Sequence, residues 1–340
     1  MARLTTRFTE RYAVDHPFAL AGMAFAGERP ALAEAVDRAG GIGAIGVGFT
    51  PPDDLRDIIR QLRDTCRGPF NINFLTNFGN VDQVRVAAEE RIPVASFHWG
   101  HPPADQVAAL KEAGSAIWVQ VGTVEDAVTA AGYGADAVIA QGWEAGGHNY
   151  GGMGTMAFVP AVRDAVGGET LVLAAGGIAD GRGVAAALAL GADAVWVGTR
   201  MVATAEAHVH AEHKRRLVAG AGEQTVRSGV FGPEMPDFNP MRLLRNRVVD
   251  DFTDRLDDVP MDRTNEPVIG ETVFLGEKHV KRKFDVLLPT PDTNGDWEEM
   301  AWLAGQGVGL VTDIRPAAEI VEEMMTEAAA ILHKLAPAPL

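Results

Sequence analysis

Hydrophobic positions along the chain fall into two alternating patterns. In the first, short runs are apolar at almost every position: Phe18 to Phe25, Ile42 to Val47, Pro69 to Leu75, Val94 to Trp99, Ala116 to Val121, Ala137 to Gln141, Thr170 to Ala175 and Ala194 to Val197. Continuous apolar runs of this length predict strands buried on both faces. In the second, apolar residues recur at helical spacing, predicting helices over Pro30 to Ala39, Pro52 to Thr65, Val81 to Glu90, Ala104 to Ala113, Val124 to Ala131, Phe158 to Val166, Arg182 to Leu190 and Glu206 to Val218. Local signals agree. Pro30 suits a first helical turn, Gly40-Gly41 a stop, and Asp53 and Asp54 the start of a helix. Eight strand-helix units within about 220 residues predict an α/β fold, a (β/α)8 TIM barrel. A doubly wound sheet is the competing arrangement, but it rarely uses eight consecutive units of such even length.

The rhythm stops after Gly220. From Gln224 to Thr293 the chain is rich in Arg, Asp and Pro and predicts a smaller irregular or partly helical appendage. Ile314 to Leu335 then reads as one amphipathic helix, with Pro316 tolerated in its first turn. The expected division is a barrel over 1–220, a substrate-side segment over 221–312, and a C-terminal helix within 313–340 that packs back on the barrel. The tail Ala336 to Leu340 is expected to fray.

Composition narrows the function classes. The net charge of −16 argues against nucleic acid and against an anionic membrane surface as partners. No apolar run approaches the roughly 20 residues that span a bilayer, and Met1 to Tyr12 lacks the apolar core of a signal sequence. These features predict a cytoplasmic protein. Cys66 is the single cysteine, which rules out an internal disulfide, and its helical surroundings suggest a structural role.

Candidate chemistry gathers at the ends of the predicted strands, where a barrel keeps its active site. The sixth strand runs into Gln141-Gly142-Trp143-Glu144-Ala145-Gly146-Gly147-His148. Paired glycines let the backbone approach a planar ligand, and histidine is suited to moving a proton near neutral pH. A loop histidine that merely caps a helix is the other reading of His148. Gly176 and Gly177 follow the seventh strand, and Gly198 and Thr199 the eighth, where barrels commonly hold a phosphate. Asn73 and Gln120 are amides at strand ends, placed either to hydrogen-bond a heteroaromatic edge or to pack behind the site. His98 and His101 flank the end of the fourth strand, and one of them is a candidate for the substrate pocket. Gly41-Ile42-Gly43-Ala44-Ile45-Gly46 fits the dinucleotide pattern, but no helix opens at its third glycine, so it is read as a glycine-rich strand. His208, His210 and His213 are placed on a helix and read as a solvated face. No zinc-binding pattern is present, and no metal is expected.

Several of these segments, taken together, resemble the nitronate monooxygenase family, formerly the 2-nitropropane dioxygenases. They are Ala21-Gly22-Met23-Ala24, Phe70-Asn71-Ile72-Asn73-Phe74, Ser96-Phe97-His98-Trp99-Gly100, Ala140 through His148, Gly154-Thr155-Met156-Ala157, Ala174 through Gly183, Gly198-Thr199-Arg200, and Ala304 through Leu310. The resemblance implies FMN, contacted by Met23, Asn73, Gln120, Gly154, Gly176, Gly177, Gly198 and Thr199. It implies that His148 is catalytic, with His98 in the substrate pocket, and that nitronates or nitroalkanes are oxidised by O2 to carbonyl compounds and nitrite. Flavin-dependent enoyl-acyl-carrier-protein reductases and NADH:quinone reductases share much of the pattern, so an NAD(P)H-dependent flavin reductase is the alternative. A flavin-binding protein whose appendage serves assembly is a further one. Asn149 to Gly154 departs from the family, many members of which have a longer, Arg-containing loop. The expected partners are a small-molecule substrate and O2, and a homodimer is compatible with the sequence.

Overall fold

The computed structural model describes residues 4–336. Eight parallel strands form its centre: β1 (Phe18–Leu20), β2 (Ala44–Gly46), β3 (Asn71–Leu75), β4 (Val94–His98), β5 (Ala116–Val121), β6 (Ala137–Gln141), β8 (Leu171–Ala175) and β9 (Ala194–Val197). A short β7 (Gly147–His148) lies outside this sheet. Neighbours pair in register from β2 to β9, and β9 pairs with β1. The ring closes where Leu20 N–H donates to Ile42 O and Ile42 N–H to Phe18 O, both at 2.9 Å. The fold is a (β/α)8 barrel.

Strand pleating divides the core in two. Ala19, Val94, Trp118, Ala137, Ile139, Leu171, Leu173, Ala194 and Trp196 form one buried cluster inside the barrel. Their strand neighbours, such as Phe74, Phe97, Val119, Val138 and Val172, join the larger cluster shared with the helices. Around the ring run α2 (Pro30–Arg38), α3 (Pro52–Thr65), α4 (Val81–Glu89), α5 (Ala104–Glu112), α6 (Val124–Gly132), α7 (Thr155–Val166) and α8 (Gly181–Ala189). Proline opens α2 and α3, and side chains of Thr123 and Asp180 cap α6 and α8. The first strand is shorter than its apolar run predicts. The chain turns over the barrel mouth after Leu20, and Phe25 sits at φ 62°.

A helix that the polar N-terminus did not announce, α1 (Arg7–Tyr12), plugs the amino end of the barrel. Phe8 is fully buried, and its ring packs 5.8 Å from Trp118. Trp118 Nε1–H donates to Tyr12 Oη at 2.7 Å. Burial pushes the Tyr12 phenol up to about 12.

After β9 the helix predicted over Glu206 to Val218 is shorter, and a separate short helix precedes it. A four-residue α9 (Thr199–Val202) comes first, and α10 (Ala211–Ala219) begins only after His208 and His210. Neither fills the eighth place in the ring. α12 (Ala317–Leu335) does so, packing against both α8 and α2. A Cβ on Gly181 would stand 2.6 Å from Met324 O, so these two helices touch backbone to backbone. Gly181 N–H donates to Glu327 Oε2 at 2.8 Å.

The segment from 224 to 293 is more regular than its composition suggests. β10 (Thr225–Ser228) and β11 (Met241–Leu244) form a sheet with β7, followed by α11 (Arg247–Phe252) and the hairpin β12 (Val268–Phe274) and β13 (Glu277–Arg282). Leu275 and Gly276 make the hairpin turn with φ 51° and 80°. A leucine in that left-handed position hid the turn from sequence reasoning. Of the predicted frayed tail, residues 337–340 lie outside the described residues. Among the described residues no helix is long and apolar enough to cross a membrane.

The barrel plug yields a test. Phe8→Ala should lower stability by about 3–5 kcal/mol through the cavity it leaves. Tyr12→Phe should lower it by about 1–3 kcal/mol by stranding the Trp118 N–H. Urea unfolding of both variants measures this, and no loss in either would mean that α1 is an ornament rather than a plug.

Candidate active site

A cavity opens over the carboxyl ends of the barrel strands. Its floor is polar because the inward positions at that level are amides and histidine. Asn73 rises from β3, His98 from β4, Gln120 from β5 and Gln141 from β6, and all four are buried. Asn71 and Asn73 both donate through Nδ2 to Ser96 Oγ, at 2.9 and 2.8 Å. Gln141 Nε2–H donates to His148 O at 3.0 Å. Gln141 Oε1 and His98 Nδ1 are buried without a partner in the protein. Orphaned polar atoms in a cavity wall are groups that a polar ligand would satisfy.

Glycines form the sides. Gly176 and Gly177, at φ 106° and 74°, follow β8 and line the cavity together with Gly198, Thr199, Gly305 and Gly307, the last packed against Gly177. Gly198 lies outside the left-handed region, at φ −108°, and a Cβ there would meet Ala21 and Met23 at 3.5 and 3.7 Å. By contrast, Gly43 and Gly46 in the dinucleotide-like stretch fit against backbone: a Cβ would lie 2.3 Å from Ala33 O and 2.4 Å from Met23 C. Those glycines serve close packing of β2.

The turn from β6 to His148 is fastened at several points. The Glu144 carboxylate accepts from Thr155 N–H at 2.8 Å and from Thr155 Oγ1–H at 3.0 Å, capping α7. Fully buried Asn149 donates through Nδ2 to the carbonyls of Gly142 and Trp143 at 3.1 and 3.0 Å. Arg227 Nε–H donates to Asn149 O at 2.8 Å and Arg242 Nε–H to Trp143 O at 3.1 Å. Their guanidinium carbons lie 4.5 and 5.4 Å from the centre of the Trp143 ring. A Cβ on Gly146 would lie 2.4 Å from Gly305 N, so the C-terminal Gly305 segment seats against this turn. β11 then pairs with Gly147 and His148, which makes His148 part of a strand rather than a free loop.

Burial and one hydrogen bond define the state of His148. Its Nδ1 lies 2.6 Å from Phe238 O, and its ring packs on the Phe238 ring with centroids 3.6 Å apart. A carbonyl only accepts, so Nδ1 carries the proton and Nε2 keeps its lone pair. Burial drives the His148 pKa down to about 4, partly offset by the Phe238 carbonyl. Burial, and then the nearby His148, take His98 down to about 3. Both rings are neutral at neutral pH.

The structure brings Met23, Asn73, His98, Gln120, His148, Gly176, Gly177, Gly198 and Thr199 to this one cavity. Gly154 is not among its lining residues: it caps the start of α7 behind Glu144. His101 turns away to Tyr133 and Asp126. The solvated-face reading of the later histidines fails for His213, which is 1% exposed, lines the cavity, and lies 3.1 Å through Nε2 from Leu303 O. His210 instead stacks on Trp297 at 4.5 Å. Sequence reasoning missed Phe49, Phe78, Met235, Phe238 and Leu303, which line the outer part of the cavity. They come from four separate segments, and only the fold assembles them. Cys66 is half-buried beyond the end of α3, and burial pushes its thiol up to about 12, in keeping with a structural role.

Fold and cavity together define a (β/α)8 barrel with a candidate active site at the carboxyl ends of its strands, and comparison with known proteins narrows the class. A family model described as Nitronate monooxygenase matches residues 5–82 and 74–327. The nitronate monooxygenase of Pseudomonas aeruginosa is 31% identical over 95% of this chain and 99% of its own length. A Mycobacterium tuberculosis protein named (3aS,4S,5R,7aS)-5-hydroxy-7a-methyl-1-oxo-octahydro-1H-indene-4-carboxyl-CoA dehydrogenase is 38% identical over 73% of this chain and 68% of its own. The structure of FabK from Thermotoga maritima superposes with a TM-score of 0.81 at 35% identity, covering 98% of each chain. The chain belongs to the nitronate monooxygenase family, a family of flavin-dependent oxidoreductases.

Three buried neutral histidines give a pH signature. His98 falls to about 3, and His148 and His213 to about 4, in each case chiefly by burial. Unfolding returns each to about 6.5. Between roughly pH 6.5 and 4 the unfolded chain therefore binds protons that the native protein does not, and stability falls as pH drops. Urea unfolding at pH 7 and pH 5 should show that loss, with a shallower slope in His213→Gln. An unchanged slope in the variant would mean that His213 does not titrate this way.

Proposed function

We propose that the protein binds FMN in this cavity and oxidises nitroalkanes or their nitronates with O2 to carbonyl compounds and nitrite. The state of His148 carries the reading: a buried, neutral imidazole whose Nδ1–H is held by Phe238 O, leaving Nε2 as a base. The surroundings fit a flavin. Glycines after β8 and β9, with Thr199, allow one phosphate to approach backbone donors. Asn73, Gln120 and Gln141 offer amide edges to a planar heteroaromatic ring, and the orphaned Gln141 Oε1 would gain a donor. The packed glycines of β2 leave no comparable place for a pyrophosphate. When bound, FMN supplies the electron-transfer and O2 chemistry.

The chain's own residues handle the proton. His148 Nε2 takes the α-proton of a neutral nitroalkane, a step worth about 10²–10⁴-fold. The imidazolium so formed keeps its bond to Phe238 O and offsets the charge of the carbanion beside it. Burial among apolar rings strengthens that pairing and excludes water. A nitronate has already lost this proton and needs no base.

The similarity to FabK across 98% of the chain supports a second reading, an NAD(P)H-dependent flavin reductase. Anaerobic mixing with NADH or NADPH separates the two, since rapid bleaching of the flavin favours the reductase. Nitrite release on adding a nitronate in air tests the first reading directly.

His148→Asn should abolish turnover of neutral nitroalkanes while leaving measurable activity on preformed nitronates, with flavin content nearly unchanged. Full activity on both forms would remove His148 from the chemistry and make His98 the next candidate. Gly198→Leu should retain the fold, because a Cβ there meets its neighbours at ordinary contact distances, yet weaken FMN binding by filling the cradle. Flavin content by acid release and mass spectrometry decides this, and it also distinguishes FMN from FAD.

A further inference from the structure

The cavity has two halves of different chemistry. The deep half is lined by glycines and amides and belongs to the cofactor proposed above. The outer half is apolar. Phe25, Phe49, Phe78, Met235 and Phe238 line it, closed on one side by Leu287 and Leu288. The rings form a connected row: Phe49 to Phe78 at 5.2 Å, Phe78 to Phe238 at 5.0 Å, and Phe238 to His148 at 3.6 Å. Phe274 at the tip of β12 buttresses Phe49 edge-on at 5.3 Å. Phe49 is still 41% exposed, so this row leaves apolar surface uncovered at the mouth.

Charge is missing from the whole lining. Among the described residues that line the cavity there is no Lys, Arg, Asp or Glu. The only ionisable groups that can become cations there are His98, His148 and His213, and all three are held neutral. The chain nevertheless has 30 Lys and Arg residues, so their absence from this wall is a property of the site. A substrate carboxylate or phosphate seated against the outer phenylalanine row would lose its hydration and find there neither a counter-ion nor the glycine backbone donors of the deep half. An alkyl chain or ring would instead bury apolar surface against the phenylalanines.

We infer that the substrate carries a bulky, uncharged apolar substituent seated in the row from Phe49 to Phe238, and that the site rejects carboxylated and phosphorylated substrates. The inference rests on the nitroalkane reading only for the identity of the reacting head group. The substituent itself is read from the outer wall.

Two measurements on the flavin-loaded protein test it separately from that reading. The first is calorimetric binding of a matched pair of unreactive probes, 4-phenylbutyramide and 4-phenylbutyrate, at pH 7.5. The amide should bind at least about tenfold more tightly, the scale on which apolar pockets discriminate. Phe78→Arg should narrow or invert the preference, and Phe78→Ala should weaken both probes. Equal binding by the wild type, or preference for the carboxylate, overturns the inference. The second is nitrite release from the nitronates of 1-nitrohexane, nitroethane and 3-nitropropanoate. The kcat/KM should be highest for the hexyl compound and lowest for the carboxylate. Equal turnover of the hexyl and carboxylate compounds overturns the inference but leaves nitronate oxidation standing. If no nitronate releases nitrite while the amide still binds preferentially, nitronate oxidation falls and the apolar mouth stands.

Discussion

Withholding charge from the mouth of the barrel is the constraint on which the rest of this structure depends. A histidine on the surface would titrate near neutrality and drift between two states. His148 is instead wedged against Phe238, with one nitrogen committed to a backbone carbonyl, and burial keeps it neutral. That state requires a wall without counter-ions, which would otherwise pull a proton onto the ring. It also requires a backbone that does not shift, because the bond to Phe238 O links two segments 90 residues apart. Two arginines stand just outside, on Trp143, where they grip carbonyls of the turn without lining the cavity.

The barrel and the segment after it divide the labour. Strand ends supply Asn73, His98, Gln120 and Gln141 from rigid positions, as barrels do. Strand β11, itself paired with β10, holds Gly147 and His148 outside the barrel sheet by pairing with them. Phe238 and Met235 lie between those two strands and form the roof. Neither part would make the site alone.

Much of this was legible in the sequence, for physical reasons. Strands buried on both faces leave uninterrupted apolar runs, so all eight barrel strands could be read. Polar residues ending such runs had to face something, which pointed to Asn73 and Gln120, while the glycine-rich turn after β6 pointed to His148. Other features left no local trace. Phe8 looks like an ordinary residue in a polar N-terminus until α1 is seen plugging the barrel. His213 sits in a sequence rich in His, Glu and Lys that reads as solvated, yet the ring turns inward beside Trp302. Gly154 shows the reverse case. The family resemblance implied a ligand contact there, and the structure places it at the start of α7, beside the Glu144 carboxylate. For Phe8 and His213 the deciding contact is made by a residue distant in the chain, which periodicity cannot report.

The place of α12 has a consequence for how the molecule is made. β9 ends at Val197, but the helix that fills the gap between α8 and α2 begins only at Ala317. During synthesis the barrel strands therefore emerge well before their last covering layer. Until then the flank destined for Ile320, Val321, Met324 and Met325 stays wet and adhesive. The chain is thus committed to a late closing step, in which α12 seals the seam between α8 and α2. Ribosome-bound nascent chains stopped before Ala317 would be the ones most dependent on chaperones.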